Sequence, residues 1–154
     1  MEFCSFNQVC PEVANNETRS VLFLEDVLRG PLAGKYHFIE IFCMDPDCDC
    51  HNAMIGVYRE GAPGQFQEIT KLRFCWEDRK FYNKMGLDFF QDELPGVFLD
   101  MGGKGSKNSK FFIKYFGDMC YENFHEKPSL RRETEYAKRV KKHYSLFKEK
   151  ISKG

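Results

Sequence analysis

No apolar run in this chain approaches the roughly 20 residues that a membrane-spanning helix needs. The opening "MEFCSFNQVCPEVANNE" has neither a basic leader nor a long apolar stretch, so it does not read as a secretory signal. A reducing, cytoplasmic setting is therefore expected, where disulfides are rare. The seven cysteines point the same way, because an odd number cannot pair fully within one chain. Catalytic signatures are missing too: neither an HExxH nor a Ser/His/Asp arrangement is visible along the chain. The stretch "GGKGSKNSK" superficially suggests a phosphate loop. However, Gly105 follows Lys104 where a Ser or Thr is required, and the upstream glycine spacing is absent.

What is present suits one folded domain spanning residues 1–154. The sequence is 42% hydrophobic and holds 16 Phe and 7 Tyr, so a core can be filled by few residues. Residues 1–20 are mixed and polar and read as a short N-terminal arm or a turn-rich cap. "VLFLEDVL" is short enough to be a strand or one helical turn. "KYHFIEIF" alternates as a strand, with Tyr36, Phe38 and Glu40 on one side. "AMIGVYRE" and "FQEITKLRFCW" read as the next two strands, and "VFLDM" as a short edge strand. Local turns between them predict an antiparallel meander.

Two helices close the sequence. In "SKFFIKYFGDMCYENF" the set Phe111, Phe112, Tyr115, Phe116, Met119 recurs at helical spacing, with Ser109 as N-cap. Residues 127–154 predict a basic amphipathic helix whose apolar stripe runs through Tyr136, Val140, His143/Tyr144, Phe147 and Ile151. The fold class expected is α+β: a small antiparallel sheet covered by two C-terminal helices, with a cysteine loop at one hairpin end.

That loop, "FCMDPDCDCHN", carries Cys43, Cys48 and Cys50 as C-x4-C-x-C, followed by His51. Asp45-Pro46 favours a turn that folds Cys43 back toward Cys48 and Cys50. In an extended segment, side chains two apart point the same way. Three thiols then converge, and zinc accepts thiolates in a tetrahedral shell of four. For the fourth ligand the order of preference is His143, which borders the buried stripe of the last helix, then Cys75, then His51. Cys120, after the first long helix, is also a candidate fourth ligand, with a second site at Cys120 or Cys75 left open, and Cys4 and Cys10 read as spare thiols. The plainer reading is that these are unligated reduced thiols, since cysteine is often a small buried hydrophobe and a histidine at a helix interface often just satisfies its neighbours.

"YHFIEIFCMDPDCDCHNAMIGV" resembles the Tyr-x-Phe-x-Glu-x-x-Cys-x-x-Pro-x-Cys-Asp-Cys segment of a family of small uncharacterised bacterial proteins. The likeness continues through "KFYNKMG" and "YAKRVKKHYSLFK", covering residues 35–150. In that family a basic residue, often Arg, commonly follows the last cysteine. Here it is His51, which argues against His51 as a shared ligand. The closing His-Tyr pair matches His143-Tyr144, which supports His143. The resemblance implies a shared cysteine loop and no particular reaction.

Three functions compete. The first is a zinc-binding module with a structural metal and a surface for a protein partner. The second is an enzyme. In one version zinc keeps an open position with Asp49, Glu40 or His51 near an activated water. In another, Cys48-x-Cys50 does thiol chemistry, although its acidic neighbours should raise the thiol pKa values. The third is nucleic-acid binding through Arg131, Arg132, Lys138, Arg139 and Lys142. From Lys127 onward ten basic residues face three acidic ones, while the whole chain is neutral, so the preceding body is acidic. That acidic body argues against nucleic acid.

Overall fold

A computed structural model of the chain describes residues 2–89, 91–100 and 108–153. The chain opens with β1 (Phe3–Ser5), two short helices α1 (Phe6–Val9) and α2 (Pro11–Glu17), and β2 (Arg19–Phe23). The long strands follow: β3 (Gly34–Cys43), β4 (Asn52–Glu60) and β5 (Phe66–Cys75). After α3 (Arg79–Lys84) comes the short edge strand β6 (Gly96–Leu99). Then α4 (Ser109–Cys120), the two-residue strands β7 (Tyr121–Glu122) and β8 (Arg132–Glu133), and α5 (Glu135–Lys153) complete it. Strands β3 to β6 form the predicted antiparallel meander. The other edge of β3 is shared, with β2 along Gly34–Phe38 and β1 along Ile41–Cys43.

The period-two pattern decides which face is dry. Tyr36, Phe38, Glu40 and Phe42 of β3 are buried on one face, with Ala53, Ile55 and Val57 of β4 and Thr70, Leu72 and Phe74 of β5. α4 and α5 cover that face. Phe116 of α4 sits between Phe38 and Phe74, at ring separations of 5.6 and 6.2 Å. Phe147 of α5 meets Phe42 edge-on at 5.2 Å. The opposite face stays partly open. A groove of about 970 Å³ runs over Ile39, Ile41 and Met54, walled by Phe3 and by residues of α1 and α2.

Several expectations need correction. Residues 1–20 are not a loose arm: β1 joins the sheet, and Phe6 and Ala14 are buried in the core. The last helix begins at Glu135, not Lys127, because Pro128 sets a 3-10 turn and β8 intervenes. Asn108 takes the N-cap position of α4, while Ser109 lies inside the helix, buried, with its Oγ 2.9 Å from Thr70 Oγ1. The glycine-lysine stretch at 102–107 and Met101 lie outside the described residues. Among the described residues no helix is long and apolar enough to cross a membrane.

Phe116 is the wedge between helix layer and sheet. Phe116→Ala should cost about 3–5 kcal/mol in a urea titration, with little change in slope. A loss below about 1 kcal/mol would mean that the layers are held elsewhere.

Candidate metal centre

The loop between β3 and β4 does gather its cysteines. Cys43 ends β3, Cys50 stands two residues before β4, and Cys48 lies in the turn between them. The turn is built as Asp45-Pro46 implies: the Asp45 side chain accepts from the Asp47 N–H at 2.9 Å, and its carbonyl accepts from Cys48 N–H at 3.1 Å. The sulfurs of Cys43, Cys48 and Cys50 then lie within 4.8 Å of one another. Thiolates about 2.3 Å from one tetrahedral zinc would be about 3.8 Å apart, so the spacing is close to that of a ligand set. Cys43 and Cys50 are buried and Cys48 is partly exposed.

Helix α5 holds this loop from above through two side chains one turn apart. Lys148 Nζ donates to the carbonyls of Cys43 and Asp45, at 2.7 and 2.8 Å. The Tyr144 hydroxyl accepts from His51 N–H at 3.3 Å and lies 4.0 Å from Cys50 Sγ. From the sheet side, Asn52 donates to the Cys50 carbonyl at 2.9 Å and accepts from Arg73, which in turn pairs with Asp100. Lys148 and Tyr144 were not read from sequence as part of the site. Their signal was the i, i+4 spacing of Tyr144 and Lys148 beside the buried stripe.

The residues considered for a fourth position go elsewhere. His143 Nδ1 is 2.8 Å from Glu40 Oε1 and Nε2 is 3.3 Å from Glu17 Oε1, and its ring stacks on Phe6 at 4.3 Å. Both nitrogens are thus committed to carboxylates, and the helix turns the ring toward α2 rather than toward the thiols. Cys75 is buried in a separate cluster with Tyr82, Leu94 and Phe98, because odd positions of β5 face away from the helices. His51 adopts φ +47°, a left-handed corner that starts β4. Its nitrogens meet Asp49 at 2.6 Å and Glu77 at 2.7 Å, and it stacks on Phe81. Among the described residues, then, the close ligand group consists of the three loop cysteines.

Burial, and then the neighbouring Cys50 and Cys43, push the Cys48 thiol up to about 12. Burial also raises Cys75, and raises Cys120 well above its ordinary range. None of these is a low-pKa nucleophile of the kind thiol chemistry needs.

The basic residues do not form one open stripe. Arg131 lies nearly buried, donating to the carbonyls of Phe124, Glu93 and Pro95 and stacking over Phe124. Arg132 is on β8, Arg139 pairs with Glu17 and Lys138 with Glu135, and Lys142 is exposed.

Glu40 and His143 form a buried pair, with Glu17 beside the ring and Arg139 on Glu17. Burial opposes charge on His143, but Glu40 and then Glu17 outweigh it and hold its pKa above the ordinary 6.5. Burial also raises the Glu40 carboxyl. A group raised by folding gives stability that is complete below its unfolded pKa and is lost as pH rises through the folded one. The denaturation midpoint should therefore fall as pH rises above about 6.5 through the raised His143 value, and Glu40→Gln should flatten that fall. His143→Ala should cost about 3–5 kcal/mol by leaving Glu40 buried without its partner. A midpoint indifferent to pH in this window would remove the pair from the account.

No family model, curated protein or solved structure matches this chain.

Proposed function

We propose that this protein binds one zinc ion through Cys43, Cys48 and Cys50, and that the metal is structural. The chain acts as a binding module for a protein partner, with the metal fixing the β3–β4 loop beneath α5. The observation that carries this reading is the convergence of the three sulfurs within 4.8 Å, in a loop already pinned by Lys148 and Asn52. Thiolates suit zinc among the common divalent ions, and the set needs no large rearrangement. N–H and O–H groups near the sulfurs fit charged thiolates: Asp45 N–H is 3.5 Å from Cys43 Sγ, and the Tyr144 hydroxyl adjoins Cys50.

A structural role fits a centre whose sulfurs are mostly buried under a helix. Metal binding at such a site contributes on the order of 10 kcal/mol to folding. For the partner surface, support comes from the edge strand β2 and the segment after it. There Leu22 on β2, and Leu24, Leu28 and Leu32 after it, are exposed.

Elemental analysis of protein purified without a histidine tag should find about one zinc per chain, and near none after Cys48→Ser. Chelation should lower the melting temperature of the wild type but not that of Cys48→Ser. Zinc near zero in chelator-free buffer ends this reading.

A further inference from the structure

We propose a second, independent site: Ser20, His37 and Glu60 form a nucleophile–base–carboxylate relay at the open groove, suited to cleaving an ester of an apolar acyl group. Ser20 on β2 and His37 on β3 are register partners, so their side chains leave the sheet on the same face. Ser20 Oγ is 2.7 Å from His37 Nδ1, and His37 Nε2 is 3.0 Å from Glu60 Oε2. An ionised carboxylate only accepts, so Glu60 holds the ring proton on Nε2. Nδ1 keeps its lone pair and the Ser20 hydroxyl donates to it. This is the arrangement by which a base activates a serine while a carboxylate orients the base, with the two ring nitrogens exchanged relative to the serine-protease order.

The surroundings add to the geometry. Phe66 packs edge-on against the His37 ring at 5.5 Å, leaving that side chain 17% exposed and the relay partly shielded from water. Ser20 and His37 both line the groove of about 970 Å³. Its floor of Ile39, Ile41 and Met54 suits an acyl chain. Lys35 lies two residues before His37 on the same face and forms no ion pair among the described residues. It supplies a positive charge to the lining of the same groove.

The chemistry balances without a further reagent. Ser20 Oγ attacks the ester carbonyl as His37 Nδ1 takes the hydroxyl proton. The tetrahedral oxyanion collapses, the C–O bond to the alcohol breaks, and His37 returns the proton to the departing alkoxide. Water, deprotonated by the same nitrogen, then cleaves acyl-Ser20, releasing the acid and restoring the hydroxyl. Ser20 and His37 are the catalytic residues, and Glu60 is a positioning residue. The relay uses none of the cysteine loop, so either site can fail without the other.

The test uses the full chain with p-nitrophenyl acetate and octanoate, and a fluorophosphonate probe whose attachment is mapped by mass spectrometry. The wild type should carry the probe on Ser20 and release nitrophenolate on the order of 10²-fold faster than Ser20→Ala. Octanoate should give the higher kcat/KM. His37→Asn should lose as much as Ser20→Ala. Glu60→Gln should lower kcat with KM unchanged, and Glu60→Asp should restore part of it. A probe that leaves Ser20 unmodified, or a wild-type rate equal to that of a folded Ser20→Ala, overturns the proposal. The mapping on wild-type protein does not depend on any variant folding.

Discussion

A buried pair between Glu40 on β3 and His143 on α5 sets how the last helix lies on the sheet. Both side chains are almost fully enclosed, so each would be costly to bury without the other. The pair works only in one register of the helix. Once His143 is opposite Glu40, the residues one position and one turn further on have no choice of neighbour. Tyr144 falls over Cys50 and His51, Phe147 over Phe42, and Lys148 over the carbonyls of the cysteine loop. The N-terminal segment is gathered by the same pair. Phe6 stacks on the ring, and Glu17 at the end of α2 takes its second nitrogen.

The cysteine loop is therefore held twice over. Hydrogen bonds from Lys148, Asn52 and the Asp45 turn fix its backbone, and these do not involve the sulfurs. The three thiols meet as a consequence of that backbone path. Burial, and then the neighbouring sulfurs of Cys50 and Cys43, raise the Cys48 thiol. A divalent cation held by the three sulfurs would replace their protons with a shared charge. The sulfurs already lie close together, so metal binding there asks for little reorganisation.

The two faces of the sheet have different work. One is sealed by α4 and α5 with aromatic rings. The other, over Ile39, Ile41 and Met54, is left open because α1 and α2 reach only its margin. Polar side chains on the open face still need partners. Ser20, His37 and Glu60 find one another across three strands, which places a base-activated hydroxyl at a cavity rather than in solvent.

Much of the architecture was legible in the amino-acid order alone. The alternation in "KYHFIEIF" and the i, i+4 aromatics of α4 dictate a strand and a helix, because side-chain period follows backbone geometry. The C-x4-C-x-C spacing with Asp45-Pro46 likewise determined that three thiols would meet, since the contact is local. What lay beyond reach was every contact set by packing between distant elements. His143 carries the same helical position whether it faces a metal or a carboxylate, and only the seating of α5 against β3 and α2 gave it to Glu40 and Glu17. Arg131 reads as a surface cation until tertiary structure buries it over Phe124. Ser20, His37 and Glu60 are separated by 17 and 23 residues, and no motif links them. Strand register alone brings them together, because the partner across a sheet is chosen by turns and packing and not by neighbours along the chain.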